Sequence, residues 1–157
     1  MRCHTLEREQ HLPESPGEAF EFFADAHNLE AITPPLLRFR VITPRPIGMQ
    51  EGTLIEYRLR LRGAPVRWLT RIEEWKPGVR FVDRQLRGPY ALWHHTHEFE
   101  PDGEGGTIMR DRVRYRLPLG VLGGIAHLLF VKRDLERIFD FRREEIERRF
   151  ALDFERT

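Results

Sequence analysis

Apolar and polar residues alternate with a period of two through the middle of this chain, the pattern of strands whose successive side chains point to opposite faces. Leu37, Phe39 and Val41 alternate with Arg38 and Arg40. Ile55, Tyr57, Leu59 and Leu61 alternate with Glu56, Arg58, Arg60 and Arg62, and Val66, Trp68, Thr70 and Ile72 with Arg67, Arg71 and Glu73. The runs 81–87, 90–100 and 107–117 continue the pattern between turns at Pro77-Gly78, Gly88-Pro89 and Pro101–Gly106. Ahead of them, Cys3–Leu12 reads as a first strand. Ser15 is placed as an N-cap with Pro16 at the first helical position and Glu18 three residues on, and a short helix follows with Phe20, Phe23 and Ala24 on its apolar face. Asp25–Ile32 reads as a second short helix, stopped by Thr33-Pro34-Pro35. From about Ile125 to Phe150 the period becomes helical, with Leu128, Val131, Leu135, Ile138, Phe139, Ile146 and Phe150 near one face.

The predicted order is a strand, two short helices, about six sequential antiparallel strands and one long helix. An antiparallel sheet with one apolar face needs that face covered, and the long helix is the available cover. The expectation is therefore a single α+β domain over residues 1–157, with a curved antiparallel sheet wrapped around the C-terminal helix. The arginine stripes then belong to the water-facing side. A sheet curved around one helix leaves a hollow suited to a small apolar ligand.

The inward faces are not purely apolar. Trp93, His95, His97 and Phe99 share one face, as do Met109, Asp111, Val113 and Tyr115, and Phe81 shares its face with Asp83 and Gln85. Buried polar groups are costly unless partnered, so Asp83, Gln85, His95, His97 and Asp111 form either a hydrogen-bonded network that fixes sheet register or the polar end of a ligand cavity. A third reading, zinc or iron held by the two histidines and a carboxylate, is set against the expectation that these groups satisfy one another and that no metal or cofactor is bound. The short loop between the last two strands allows opposing residue numbers to sum to 206 or 208. The first sum puts His95 opposite Asp111 and the second puts His97 there, with Asp83 beside Trp93, His95 or His97 on the other side. Tyr57, Trp68 and Tyr115 have the parity to line the same cavity. His94 has the opposite parity, and His127 reads as a packing or surface residue.

Composition narrows the field. Hydrophobic residues make up 40% and charged residues 32%, a soluble globular profile, and the net charge of +1 gives no nucleic-acid footprint. The single Cys3 permits no internal disulfide, which suits the cytoplasm, and neither a signal-peptide core near the start nor a membrane-spanning run is visible. Gly120–Gly124 lacks the spacing of a nucleotide loop.

The element order resembles the helix-grip, START-like fold shared by Bet v 1-type proteins, polyketide cyclases and lipid carriers. The segment from Phe81 to Phe99, the stretch from Asn28-Leu29 to Thr33-Pro34-Pro35, and Met109 to Tyr115 resemble a bacterial subgroup of ligand-binding SRPBCC proteins. The expected cavity and the inward parity of its residues predict binding or transport of a small hydrophobic molecule with a polar head, held by Tyr57, Trp68, Asp83, Gln85, Trp93, His95, His97, Asp111 and Tyr115. The alternatives are a cyclase- or dehydratase-type enzyme using His95, His97 and Asp111 as an acid–base set, and a cavity-less structural or regulatory protein.

Overall fold

The computed structural model describes residues 2–154. Met1 and residues 155–157, the outer ends of the expected 1–157 span, lie outside the described residues. Seven strands form one antiparallel sheet: β1 (His4–Leu12), β2 (Arg40–Val41), β3 (Leu54–Leu61), β4 (Ala64–Lys76), β5 (Arg80–Arg87), β6 (Leu92–Pro101) and β7 (Thr107–Arg116), in the order β1-β7-β6-β5-β4-β3-β2. Helix α1 (Pro16–Ala24) begins at the expected capping box. The Ser15 hydroxyl accepts from the Glu18 amide, and the Glu18 carboxylate accepts from the Ser15 amide. The second short helix is 3₁₀ rather than α and spans Ala26–Glu30, with Asp25 capping it through the His27 amide.

The C-terminal helix starts earlier than its sequence period suggests. Helix α2 (Gly120–Ala126) runs through a π turn (His127–Val131) into α3 (Lys132–Phe154). The chain doubles back so tightly at its start that a Cβ on Gly123 would stand 2.1 Å from the Pro118 carbonyl oxygen. The expected apolar stripe is only partly buried. Leu135, Phe139, Ile146 and Phe150 face the sheet, whereas Leu128 is 82% exposed. A π turn adds a residue to the helical repeat, so positions ahead of it lose phase with the stripe behind it.

Three clusters of buried side chains make up the core, two of them against α3. Leu12, Phe81, Phe99 and Met109 meet Phe20 and Phe23 of α1 and Ile146 of α3. Trp93, Val113 and Tyr115 meet Leu135 and Phe139. Ile55, Tyr57 and Ile72 close over Ala26. The outward faces carry ion pairs such as Arg110 with Glu9 and Arg112 with Glu7, which place these arginines on the water-facing side as their parity implies.

Candidate functional site

Between the concave sheet face and α3 lies a cavity of about 170 Å³. Aromatic and aliphatic side chains share its wall, Phe39, Tyr57, Trp68, Phe81, Trp93 and Phe139 among the former, with Phe23 from α1 and Leu135 and Ile138 from α3. Its polar end is formed by Asp83, His95, His97 and Arg142.

The register explains how these groups meet. β6 and β7 pair with the 208 sum, so His97 lies opposite Asp111 and His95 opposite Val113. β5 and β6 put Asp83 opposite His95 and Phe81 opposite His97. The two shortest contacts nonetheless run diagonally. His95 Nε2 lies 2.8 Å from Asp111 Oδ1, and His97 Nε2 lies 2.7 Å from Asp83 Oδ2. An imidazole is long enough to reach the diagonal neighbour of an antiparallel pair. His97 Nδ1 also stands 3.1 Å from Asp111 Oδ1, outside hydrogen-bond alignment, so His97 sits between both acids. The rings stack in series, Phe81 on His97 at 4.0 Å and His97 on His95 at 3.7 Å between centroids, which holds both imidazoles in one orientation.

A fifth member is invisible to strand parity because it comes from the helix. Arg142 is 8% exposed, and its Nη2 stands 3.5 Å from Asp111 Oδ1. Its guanidinium carbon lies 5.5 Å from the Phe23 ring centroid and 5.7 Å from that of Phe139. The spacing carries the signal that could have found it: Arg142 falls three residues after Phe139 and four before Ile146, on the buried stripe. An arginine in that phase stays charged and must meet acids.

Burial and charge then set the protonation states. Desolvation by itself would raise both acids. Arg142 and the two histidines outweigh it and hold Asp111 well below the usual carboxylate range; hydrogen bonding from His97 and the charge of His95 lower Asp83. The histidines separate. Burial and the neighbouring imidazole push His95 down to about 4, whereas the two flanking acids overcome burial and raise His97. These directions favour ionised Asp83 and Asp111, a proton on His97 and an uncharged His95 beside the Arg142 guanidinium. Tyr57 is raised by burial and by Asp83, so its hydroxyl stays neutral.

Other expected residues fall elsewhere. Gln85 does not line the cavity. β5 pairs with β6 only as far as Arg84, and beyond that point the Gln85 amide substitutes for the missing ladder, donating to the Tyr90 carbonyl at 2.7 Å and accepting from the Tyr90 amide at 3.2 Å. A Cβ on Gly88 would stand 2.5 Å from Gln85 Oε1, so the clamp and the glycine belong together. Asp111 lies behind the imidazoles rather than on the cavity wall. Tyr115 is in the core, its hydroxyl 2.7 Å from His127 Nε2, and His127 in turn stacks on His4. Asp83, His95 and His97 present donor atoms within 4.8 Å of one another, a spacing compatible with a cation. Both Nε2 atoms are already engaged by carboxylates, and Arg142 brings a fixed positive charge, so the set fits an internally paired network better than a cation site.

The curved sheet closed by its long C-terminal helix is a helix-grip, Bet v 1-like fold. Residues 4–151 match the model of the polyketide cyclase / dehydrase and lipid transport family, and the chain belongs to that family. TTHA0849 from Thermus thermophilus is 21% identical with a TM-score of 0.71, over 96% of this chain and 99% of that one. The Zhui aromatase/cyclase from Streptomyces sp. R1128 is 13% identical with a TM-score of 0.74, over 96% and 94%. A START superfamily protein from Mycobacterium smegmatis is 12% identical with a TM-score of 0.68, over 92% and 98%. At these identities the likeness is one of fold. No curated protein sequence matches the chain. Among the described residues no helix is long and apolar enough to cross a membrane.

Proposed function

We propose that the protein binds or carries a small, largely apolar molecule whose polar head meets the Asp83–His95–His97–Arg142 end of the cavity. The observation that carries this reading is the asymmetry of the cavity, which is walled largely by aromatic and aliphatic side chains and has its acid, histidines and arginine in one cluster. Its volume limits the occupant. An apolar cavity of about 150 Å³ accepts benzene, so about 170 Å³ suits a one- or two-ring compound or a short branched chain rather than a two-tailed lipid. Native mass spectrometry of the full chain, purified without detergent, is expected to show a saturable one-to-one complex with 2-naphthoate or 2-naphthamide. The absence of any complex with either compound up to millimolar concentration would overturn the reading.

A further inference from the structure

The start of the C-terminal helix is apolar where it has no core to serve. Leu119, Val121, Leu122, Leu128 and Leu129 are each more than half exposed, and of the described residues of α2 and the π turn only Gly123 is buried. Val121, Leu122, Ile125, Leu128 and Leu129 recur at three- and four-residue spacing, so they gather on one side of the helix. Single exposed apolar residues are ordinary, but a contiguous set marks a surface that meets another body.

The charge around this surface is mainly basic. From Leu117 to Val131 the chain carries no Asp, Glu, Lys or Arg, and the first charges on either side are Arg116, Lys132 and Arg133. The Arg62 guanidinium lies 4.5 Å from the Phe130 ring centroid, and Arg2 and Lys132 stand close enough to His127 to disfavour its proton. Asp134, the first acid beyond them, is paired with Arg62 at 3.0 Å. An apolar strip rimmed by cations fits the headgroup layer of an anionic bilayer, where the apolar side chains sink below the phosphates and the cations stay among them. A second copy fits less well, because a two-fold interface sets the patch against itself and brings the two cationic rims together.

We propose that residues 119–130 dock the protein on the surface of a membrane containing anionic lipid, lying in the headgroup layer without spanning it. The docking surface adjoins the cavity: Leu61 lines the cavity wall, and the next residue, Arg62, covers Phe130. Docking there sets the cavity beside the hydrocarbon in which an apolar ligand dissolves, and it stands or falls independently of which ligand the cavity takes.

The test is sedimentation of the full chain at pH 7 with vesicles of phosphatidylcholine alone and of phosphatidylcholine and phosphatidylglycerol in equal parts. Binding to the mixed vesicles is expected to be at least tenfold tighter and to weaken as salt is raised. Leu122→Glu combined with Leu128→Glu, at positions the core does not use, is expected to weaken that binding at least tenfold with an unchanged midpoint of thermal unfolding. Lys132→Gln combined with Arg133→Gln is expected to weaken it by about fivefold per charge and to leave binding to phosphatidylcholine unchanged. No sedimentation with either vesicle up to millimolar lipid, equal binding to both, or binding retained by the double glutamate variant overturns the proposal. A concentration-dependent dimer that is lost in the glutamate variant, without vesicle binding, likewise overturns it and assigns the patch to a second copy of this chain.

Discussion

Replacing Asp111 with alanine is expected to destabilise the fold by about 3–5 kcal/mol, the usual cost of removing one partner from a buried charge network. Asp111 is where the network converges: His95 Nε2 at 2.8 Å, His97 Nδ1 at 3.1 Å and Arg142 Nη2 at 3.5 Å all lie against its Oδ1. Without it, Arg142 keeps a charge that only Asp83 can balance, and His97 can stay protonated only by leaving the cluster net positive. The protein escapes part of the penalty by releasing the His97 proton, so the loss should be larger at pH 6 than at pH 8. For a chain of this size the midpoint of thermal unfolding should fall by roughly 6–20 °C. Asp111→Asn, which keeps the shape and one acceptor, should lose less than Asp111→Ala. Urea unfolding of both variants measures this, and a loss below about 1 kcal/mol for Asp111→Ala would show that the network contributes little to the fold.

The opposed shifts of the two histidines predict a stability maximum near pH 6.5. On the acid side, the unfolded chain protonates every histidine near 6.5, whereas folded His95 resists until about 4. Unfolding therefore takes up a proton across that window, and stability falls with pH at about 1.4 kcal/mol per unit, or roughly 3 kcal/mol in all. His4 and His127, also lowered by burial, add in the same direction. Below pH 4 the depressed acids Asp83 and Asp111 extend the decline, because they stay ionised in the fold when their unfolded counterparts protonate. On the alkaline side the sign reverses. Folded His97 holds its proton after the unfolded residue has lost it, so the stability it contributes fades as pH rises through its raised value. Urea unfolding at pH 4–9 should trace this asymmetric dome, and His95→Gln should flatten its acid limb. Stability that is level or rising from pH 6.5 down to 5 would contradict the assignment of a neutral His95.

The sheet, the grip of the long helix and the meeting of His95, His97 and Asp111 are legible in the sequence because each follows from parity. A two-residue period assigns faces, and a short loop restricts the register to two choices, of which 208 is the one realised. Parity does not say which partner an imidazole reaches, and both strong contacts are diagonal. Parity also fails at Gln85, where β5 leaves its partner and the inward direction ends. Leu128 departs from the expected stripe because it lies within the π turn ahead of Leu135, where the helical phase shifts, which regular spacing does not signal. Arg142 lies on the buried stripe by its spacing, yet a charged residue on a helix rich in charge is ordinarily assigned to water, and that prior hides it.

The link between the cavity and the polar cluster can be tested most directly at the imidazoles themselves. Long-range proton–nitrogen correlation spectra of the histidine rings, recorded on the full chain during titration with 2-naphthoate, should show the His95 and His97 nitrogen resonances moving saturably. The exposed His11 and the outward-facing His94 should stay fixed. Saturable binding of 2-naphthoate that leaves His95 and His97 unmoved would place the ligand elsewhere and contradict the assignment of this cavity as the site.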